Sequence, residues 1–313
     1  FRSGLEAIGG FECVGYCEID KYAKQAYEAM YDTRGELYFD DARKIVSEQL
    51  PDFDLLVGGF PCQSFSIAGA RKGFDDTRGT LFFEIARIAS VKKPKYIFLE
   101  NVPGMLNHDK GRTFETILRT LDGLGYNVCW QVLNIKNFGL LIKAKTKDGY
   151  QVAYPGDSID TAFSGQNSRR GRVGNQIAHT LTTSATQAYY FIDLNPDPKL
   201  TEIARCITAR HDSGISNRKA EHSGVFVEST DFTDDEKFAV AFIEPNGEVH
   251  IGRIRKLTPM ECWKLQGFTD DQFDKAKATG LSDSRLYKMA GNAVTVNVIS
   301  EIGKIIKKVN DKN

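Results

Sequence analysis

The chain has 313 residues, 41% of them hydrophobic, which is enough for one large domain and a second with a core of its own. Lysine plus arginine equals aspartate plus glutamate at 41 each, so net charge makes no case for a polyanionic partner and such a surface must come from local segregation. No apolar run approaches the roughly 18 residues of a membrane span, and the opening Phe-Arg-Ser-Gly-Leu-Glu is no signal peptide.

The first half alternates strand and helix patterns. Phe11 to Cys17 reads as a strand, with Cys13 and Cys17 on one face, and Lys21 to Tyr31 as a helix carrying Ala23, Ala26, Tyr27 and Met30 on one side. Asp54-Leu55-Leu56-Val57 is the next strand, followed by a helix over 79–91 with Leu81, Phe82, Ile85, Ile88 and Ala89 clustered. A strand over 96–99, a helix over 112–124 and a strand over 127–133 complete the rhythm, which predicts an α/β fold with a mainly parallel sheet covered by helices.

From about Leu141 the rhythm gives way to Gly, Ser, Thr and Asn with short β-prone stretches such as Ala188 to Ile192. Between Asp160 and Asp193 no acidic residue occurs, yet Arg169, Arg170 and Arg172 fall there among Gly, Ser, Asn and Gln. Such a segment suits phosphate and base-edge contacts, and equally an exposed loop that its arginines solubilise. A helix returns at Thr258, a natural N-cap with Pro259 in the first turn. The last helix, from about Ala293, carries Val294, Val298, Ile302 and Ile305 on one stripe, which is expected to pack on the first-half sheet.

Two strand ends hold candidate chemistry. Gly58-Gly59-Phe60-Pro61-Cys62 puts a thiol at the tip of the second strand, where the glycines allow a sharp turn and Pro61 stiffens the approach. Ligands of open α/β sheets bind outside the carboxyl ends of strands, which makes Cys62 a nucleophile candidate. Tyr96-Ile97-Phe98-Leu99 ends in Glu100-Asn101, a carboxylate at another strand end. The six cysteines (13, 17, 62, 129, 206 and 262) have no paired zinc spacing, so neither a metal site nor a disulfide framework is expected, and a cytoplasmic, reducing setting suits a free thiol.

Pro61-Cys62-Gln63 and Glu100-Asn101-Val102, joined by Arg78-Gly79-Thr80-Leu81-Phe82, resemble the nucleophile and acid motifs of the C5-cytosine DNA methyltransferase family. Further blocks follow the family's order. Cys17-Glu18-Ile19-Asp20 resembles its ribose-binding acid motif and Asp41-Ala42, preceded by Asp40, its adenine-edge motif. Arg255 to Pro259, Cys262 to Phe268 and Ala290-Gly291-Asn292-Ala293-Val294 resemble its C-terminal motifs.

The resemblance implies a doubly wound, Rossmann-like cofactor-binding domain over 1–142 plus 286–313, incomplete at its N-terminus, and a smaller β-rich or irregular target-recognition domain over 143–285. It implies S-adenosylmethionine as methyl donor and no metal. Glu18 would accept the ribose hydroxyls, Ile19 would lie against adenine, Asp41 and Ala42 would meet its edge, and Pro61, Leu81, Asn292 and Ala293 would line the pocket. Cys62 would add to cytosine C6 and Glu100 would hold N3 and the exocyclic amine. Gln63, Ser64, Ser66, Arg78, Arg169, Arg170 and Arg172 would contact duplex DNA. The expected protein is a monomer, with a cognate restriction endonuclease as a functional, not physical, partner.

Two departures accompany the likeness. The chain opens at Phe1, just past the position of the family's Phe-x-Gly-x-Gly-Gly loop, and after Asn137-Phe138-Gly139 it continues Leu140-Leu141-Ile142-Lys143 where Pro-Gln-x-Arg-x-Arg would stand. A catalytically silent DNA-binding member is therefore the competing expectation. RNA cytosine methylation and small-molecule methylation are further alternatives.

Overall fold

A computed structural model describes residues 1–61, 81–133 and 256–311, together with the backbone of the strands between 140 and 255. The chain divides into two compact units, Phe1–Leu133 with Ile299–Asn313, and Asn134–Val298. No helix among the described residues is long and apolar enough to cross a membrane.

The first unit contains α1 (Arg2–Ile8), β1 (Gly15–Cys17), α2 (Lys21–Met30), β2 (Leu37–Phe39), β3 (Leu55–Gly59), α3 (Leu81–Lys92), β4 (Tyr96–Glu100) and α4 (Arg112–Gly123). β1 pairs with β2 and β3 with β4, both parallel, so the βαβ reading of the first half holds as an α/β fold. Asp20 starts α2 by accepting from the amides of Tyr22 and Ala23 at 2.9 and 3.4 Å. The core between β3, β4 and the helices is built from Phe60, Phe82, Ile117 and Leu121, with Ile85, Ile97 and Leu99 packed against it.

Three expectations change. The strand expected over 11–17 is formed only at 15–17, because only these residues find partners, Gly15 opposite Leu37 and Cys17 opposite Phe39. The run 127–133 is no strand: Val128, Trp130 and Val132 are exposed, and the ring of Trp130 meets Phe114 edge-on at 5.1 Å. The last helix, α8 (Val296–Asn310), starts after Val294, and Ile305 is 63% exposed.

In the first unit α8 packs on α1. Ser300 donates to the carbonyl of Gly4 at 3.0 Å, and a Cβ on Gly303 would lie 2.8 Å from Ile8 Cδ1 and 2.9 Å from Leu5 Cδ2. The missing side chain at Gly303 is what lets the two helices approach.

In the second unit β5 (Leu140–Lys143) pairs with β6 (Tyr150–Ala153), and β7 (Ser158–Asp160) with β8 (Arg172–Gly174). β9 (Tyr190–Asp193), β10 (Leu200–Thr201), β11 (Ser223–Glu228), β12 (Ala239–Ile243) and β13 (Val249–Lys256) form an antiparallel sheet in the order β10-β9-β11-β13-β12. α5 (Pro259–Leu265), α6 (Asp270–Ala278) and α7 (Asp283–Asn292) follow. Thr258 caps α5 in a capping box with Glu261, and Trp263 is buried with its Nε1 donating to the Leu286 carbonyl at 2.9 Å.

Candidate active site

Every described candidate of the first unit except Leu81 lies at or just beyond the carboxyl end of a strand. Glu18 and Ile19 follow β1, Asp41 and Ala42 follow β2, Pro61 follows β3, and Glu100 ends β4. Leu81 opens α3 and is partly exposed.

The β1 and β2 ends form one cluster. Glu18 extends the ladder through its amide, which donates to the Phe39 carbonyl at 3.1 Å, and Glu18 Oε1 accepts from the Asp20 amide at 2.8 Å. The Tyr38 hydroxyl donates to the Glu18 carbonyl. Ile19 is 71% exposed, an apolar side chain next to the Glu18 carboxylate. Burial, reinforced by Asp41, Glu18 and Asp40, pushes the Cys17 thiol up to about 11, so three carboxylates surround this strand end.

Asp41 caps the short 3-10 turn Ala42–Lys44. Its Oδ1 accepts from the Arg43 amide at 3.0 Å, and its carboxylate pairs with the Arg43 guanidinium at 2.6 Å. These bonds hold its carboxyl down at about 2.

The β3 and β4 ends form the other cluster. Gly59 stands opposite Glu100 in the register, and a Cβ on Gly59 would come 3.2 Å from Glu100 Oε2. The backbone that leads to Cys62 therefore runs directly beside the Glu100 carboxylate. Asn101 ties the two ends together: its Nδ2 donates to the Phe60 carbonyl at 2.6 Å, and its Oδ1 accepts from the Val102 amide at 2.9 Å. Phe60 is 7% exposed and packs on Phe82 at 5.3 Å, so the residue two positions before Cys62 is anchored in the core. Burial pushes the Glu100 carboxyl up, favouring a carboxylic acid that can donate a hydrogen bond.

Asn292 ends α7 and Ala293 is its C-cap, both in the second unit. Buried Gln266 holds this segment: its Nε2 donates to the Ala290 carbonyl at 3.0 Å, and its Oε1 accepts from Thr295 Oγ1 at 2.7 Å. Arg172 opens β8. Cys62, Gln63, Ser64, Ser66, Arg78, Arg169 and Arg170 lie outside the described residues.

Sequence reasoning missed three supporting residues, Asn101, Arg87 and Gln266. Asn101 was adjacent to the acid in its motif, a signal of sorts. Arg87 and Gln266 act through carbonyls and a hydroxyl far along the chain, which no spacing reveals. Among the described residues no group of three or more His, Cys, Asp or Glu is arranged to hold a metal ion.

Comparison with known proteins bears directly on this arrangement. A family model, C-5 cytosine-specific DNA methylase, matches residues 1–141 and 155–308. The chain is 31% identical to the orphan methyltransferase M.SPRI of Bacillus phage SPR, an alignment covering 97% of this chain and 94% of the relative. It is 36% identical to the type II methyltransferase M1.ScrFI of Lactococcus lactis subsp. cremoris, over 100% of this chain and 76% of the relative. With the type II methyltransferase M.HhaI of Haemophilus parahaemolyticus it shares 33% identity, over 96% and 89%. Strand ends that carry an acid beside the approach to a Pro-Cys-Gln, on a chain matched over nearly its whole length, leave one conclusion: the protein belongs to the C-5 cytosine-specific DNA methylase family and is a DNA cytosine methyltransferase.

Proposed function

We propose that the protein transfers a methyl group from S-adenosylmethionine to C5 of a cytosine flipped out of duplex DNA, through a covalent adduct of Cys62 at C6. The observation that carries this reading is the pairing of the β3 and β4 ends, with Gly59 opposite Glu100 and Asn101 bonded to the Phe60 carbonyl. Cytosine C5 is too poor a nucleophile to take a methyl group unaided. Addition of the Cys62 thiolate to C6, with transfer of the Glu100 proton to N3, converts the ring to an enamine whose C5 is nucleophilic. S-adenosylmethionine, when bound, supplies the methyl group. Loss of the C5 proton to a base or water then expels the thiolate from C6, and Glu100 takes back the N3 proton.

The acid suits this work because burial raises its carboxyl toward the protonated form. Burial also raises the Cys13, Cys17 and Cys262 thiols, the last to about 12, so none of these three offers a thiolate at neutral pH.

The residues at the β1 and β2 ends fit the donor's nucleoside. A strand-end carboxylate at Glu18 suits two vicinal hydroxyls, exposed Ile19 suits the face of a purine, and Asp41 with Ala42 suits its polar edge. Pro61, Leu81, Asn292 and Ala293 complete the pocket in this reading. Residues 143–285 serve as the target-recognition domain, where Arg169, Arg170 and Arg172 meet phosphates and base edges, while Gln63, Ser64, Ser66 and Arg78 act around the flipped base. The names of the type II relatives extend the reading to protection of DNA from a cognate restriction endonuclease.

The test is transfer of labelled methyl from S-adenosylmethionine to duplex DNA of mixed sequence by this chain and by its Cys62→Ser variant. Transfer by the parent and none by the variant is expected. DNA binding with no transfer by either would support the silent binder, which the Leu140 to Lys143 departure favours. Preference for a transfer RNA over the duplex would overturn the choice of substrate.

A further inference from the structure

The turn that follows β2 is held from outside by one side chain of α3. Arg87 donates from Nη2 to the Ala42 carbonyl at 3.1 Å and from Nη1 to Ser47 Oγ at 2.9 Å, while its Nε donates to Glu84 at 2.8 Å. Ser47 is 1% exposed, so its hydroxyl depends on protein partners. Glu84, one turn earlier on the same helix, fixes the direction of the guanidinium. The planar fork thus makes three bonds in three directions, a geometry that the point charge of a lysine does not reproduce.

The Ala42 carbonyl belongs to the same peptide group as the Arg43 amide. That group is planar and nearly rigid. Its oxygen end accepts from Arg87 Nη2 at 3.1 Å and from the Ile45 amide at 3.3 Å, and its N–H end donates to Asp41 Oδ1 at 3.0 Å. Rotation of the plane would move all three bonds together. The direction of the Asp41 carboxylate is therefore set in part by an arginine on a different element, 46 residues further along the chain.

We propose that Arg87 is a positioning residue for the cofactor subsite, orienting Asp41 through the Ala42–Arg43 peptide so that its carboxylate meets the donor's adenine edge. The proposal rests on the reading of Asp41 as the adenine-edge residue. It assigns Arg87 no contact with the donor and no part in the chemistry.

Binding tests it without requiring turnover. Calorimetric titration of the full chain with S-adenosylhomocysteine is carried out on the parent, Arg87→Lys, Asp41→Ala and the double variant, with duplex DNA affinity and thermal midpoint measured alongside. Arg87→Lys is expected to weaken S-adenosylhomocysteine binding about tenfold in the parent, the size of one charge-assisted hydrogen bond. In the Asp41→Ala background the same change is expected to have an effect under about twofold, and DNA affinity is expected to stay within about twofold throughout. Equal losses in both backgrounds would overturn the proposal and leave the adenine-edge reading intact. No loss on Arg87→Lys in the parent would also overturn it. No loss on Asp41→Ala would overturn the adenine-edge reading and the proposal with it. Parallel loss of DNA affinity and thermal midpoint would assign Arg87 a general structural role instead.

Discussion

Glu100 illustrates how neighbouring residues set the character of one functional group. Its strand supplies position, Gly59 opposite supplies room for its carboxylate, and burial supplies the raised pKa. A carboxyl whose folded pKa is raised binds its proton more tightly folded than unfolded. It contributes stability below the ordinary carboxylate range, and that contribution is lost as pH rises through the raised value. Glu100→Gln, neutral at every pH, is therefore expected to melt higher than the parent at pH 7, by on the order of 1–2 °C given the side chain's partial exposure, and to converge with it near pH 4. Melting curves of the two proteins at both values check this. A lower midpoint for the variant at pH 7 would show that the carboxylate is held by attraction rather than strained by burial. The same variant is expected to lose methyl transfer. The sequence exposed Glu100 and Cys62 because both stand at the ends of apolar runs in recognisable triplets. It did not expose Asn101 as the tie between the β3 and β4 ends, because a side-chain bond to the Phe60 carbonyl, 41 residues back, leaves no trace in local pattern.

Elements were legible where periodicity was strong and long. Helices α2, α3 and α4 stand where their apolar spacing put them, and Thr258 caps α5 as its residue type suggests. Short pieces were not legible. β2 is three residues, Leu37-Tyr38-Phe39, too few for alternation to show, and it exists because β1 pairs with it. The run 127–133 fails in the opposite way: it has β-prone residues, but Val128, Trp130 and Val132 remain exposed and no ladder forms along it. A strand is a property of two chains, and composition supplies only one. For α8 the stripe held at Val298, which is buried, and at half-buried Val294 and Ile302, but not at Ile305, which faces out, while Ile299 and Gly303 are buried outside it. Gly303 matters most because Leu5 and Ile8 of α1 fill the space a side chain would need. Gly303→Ala, which would favour an isolated helix, is expected instead to destabilise the protein by about 1–3 kcal/mol through overpacking. Chemical denaturation measures it, and a gain in stability would mean that the two helices separate at little cost.

At the level of the whole molecule the chain reads as an assembly of strand ends. Among the described residues two parallel pairs, β1 with β2 and β3 with β4, each bring together segments remote in sequence at their carboxyl ends, 18–19 with 41–42 and 60–61 with 100–101. That topology was legible from the alternation of patterns. In residues 134–298 the β-prone character, the stretch that holds β9 and the start of α5 at Thr258 were legible, but the order of the five-stranded antiparallel sheet was not, because its strands are short and separated by polar stretches. The central claim is that Cys62 bonds to the target base, and trapping the adduct tests it most directly. Duplex DNA carrying 5-fluorocytosine in the methylated site is incubated with the protein and S-adenosylmethionine. After methylation no C5 proton remains to be removed, so the thiolate cannot leave and the adduct persists. Mass spectrometry of the digested complex is expected to find a methylated 5-fluorocytosine attached to Cys62. An enzyme that methylates ordinary DNA yet forms no such adduct, or forms it at another residue, would contradict the account.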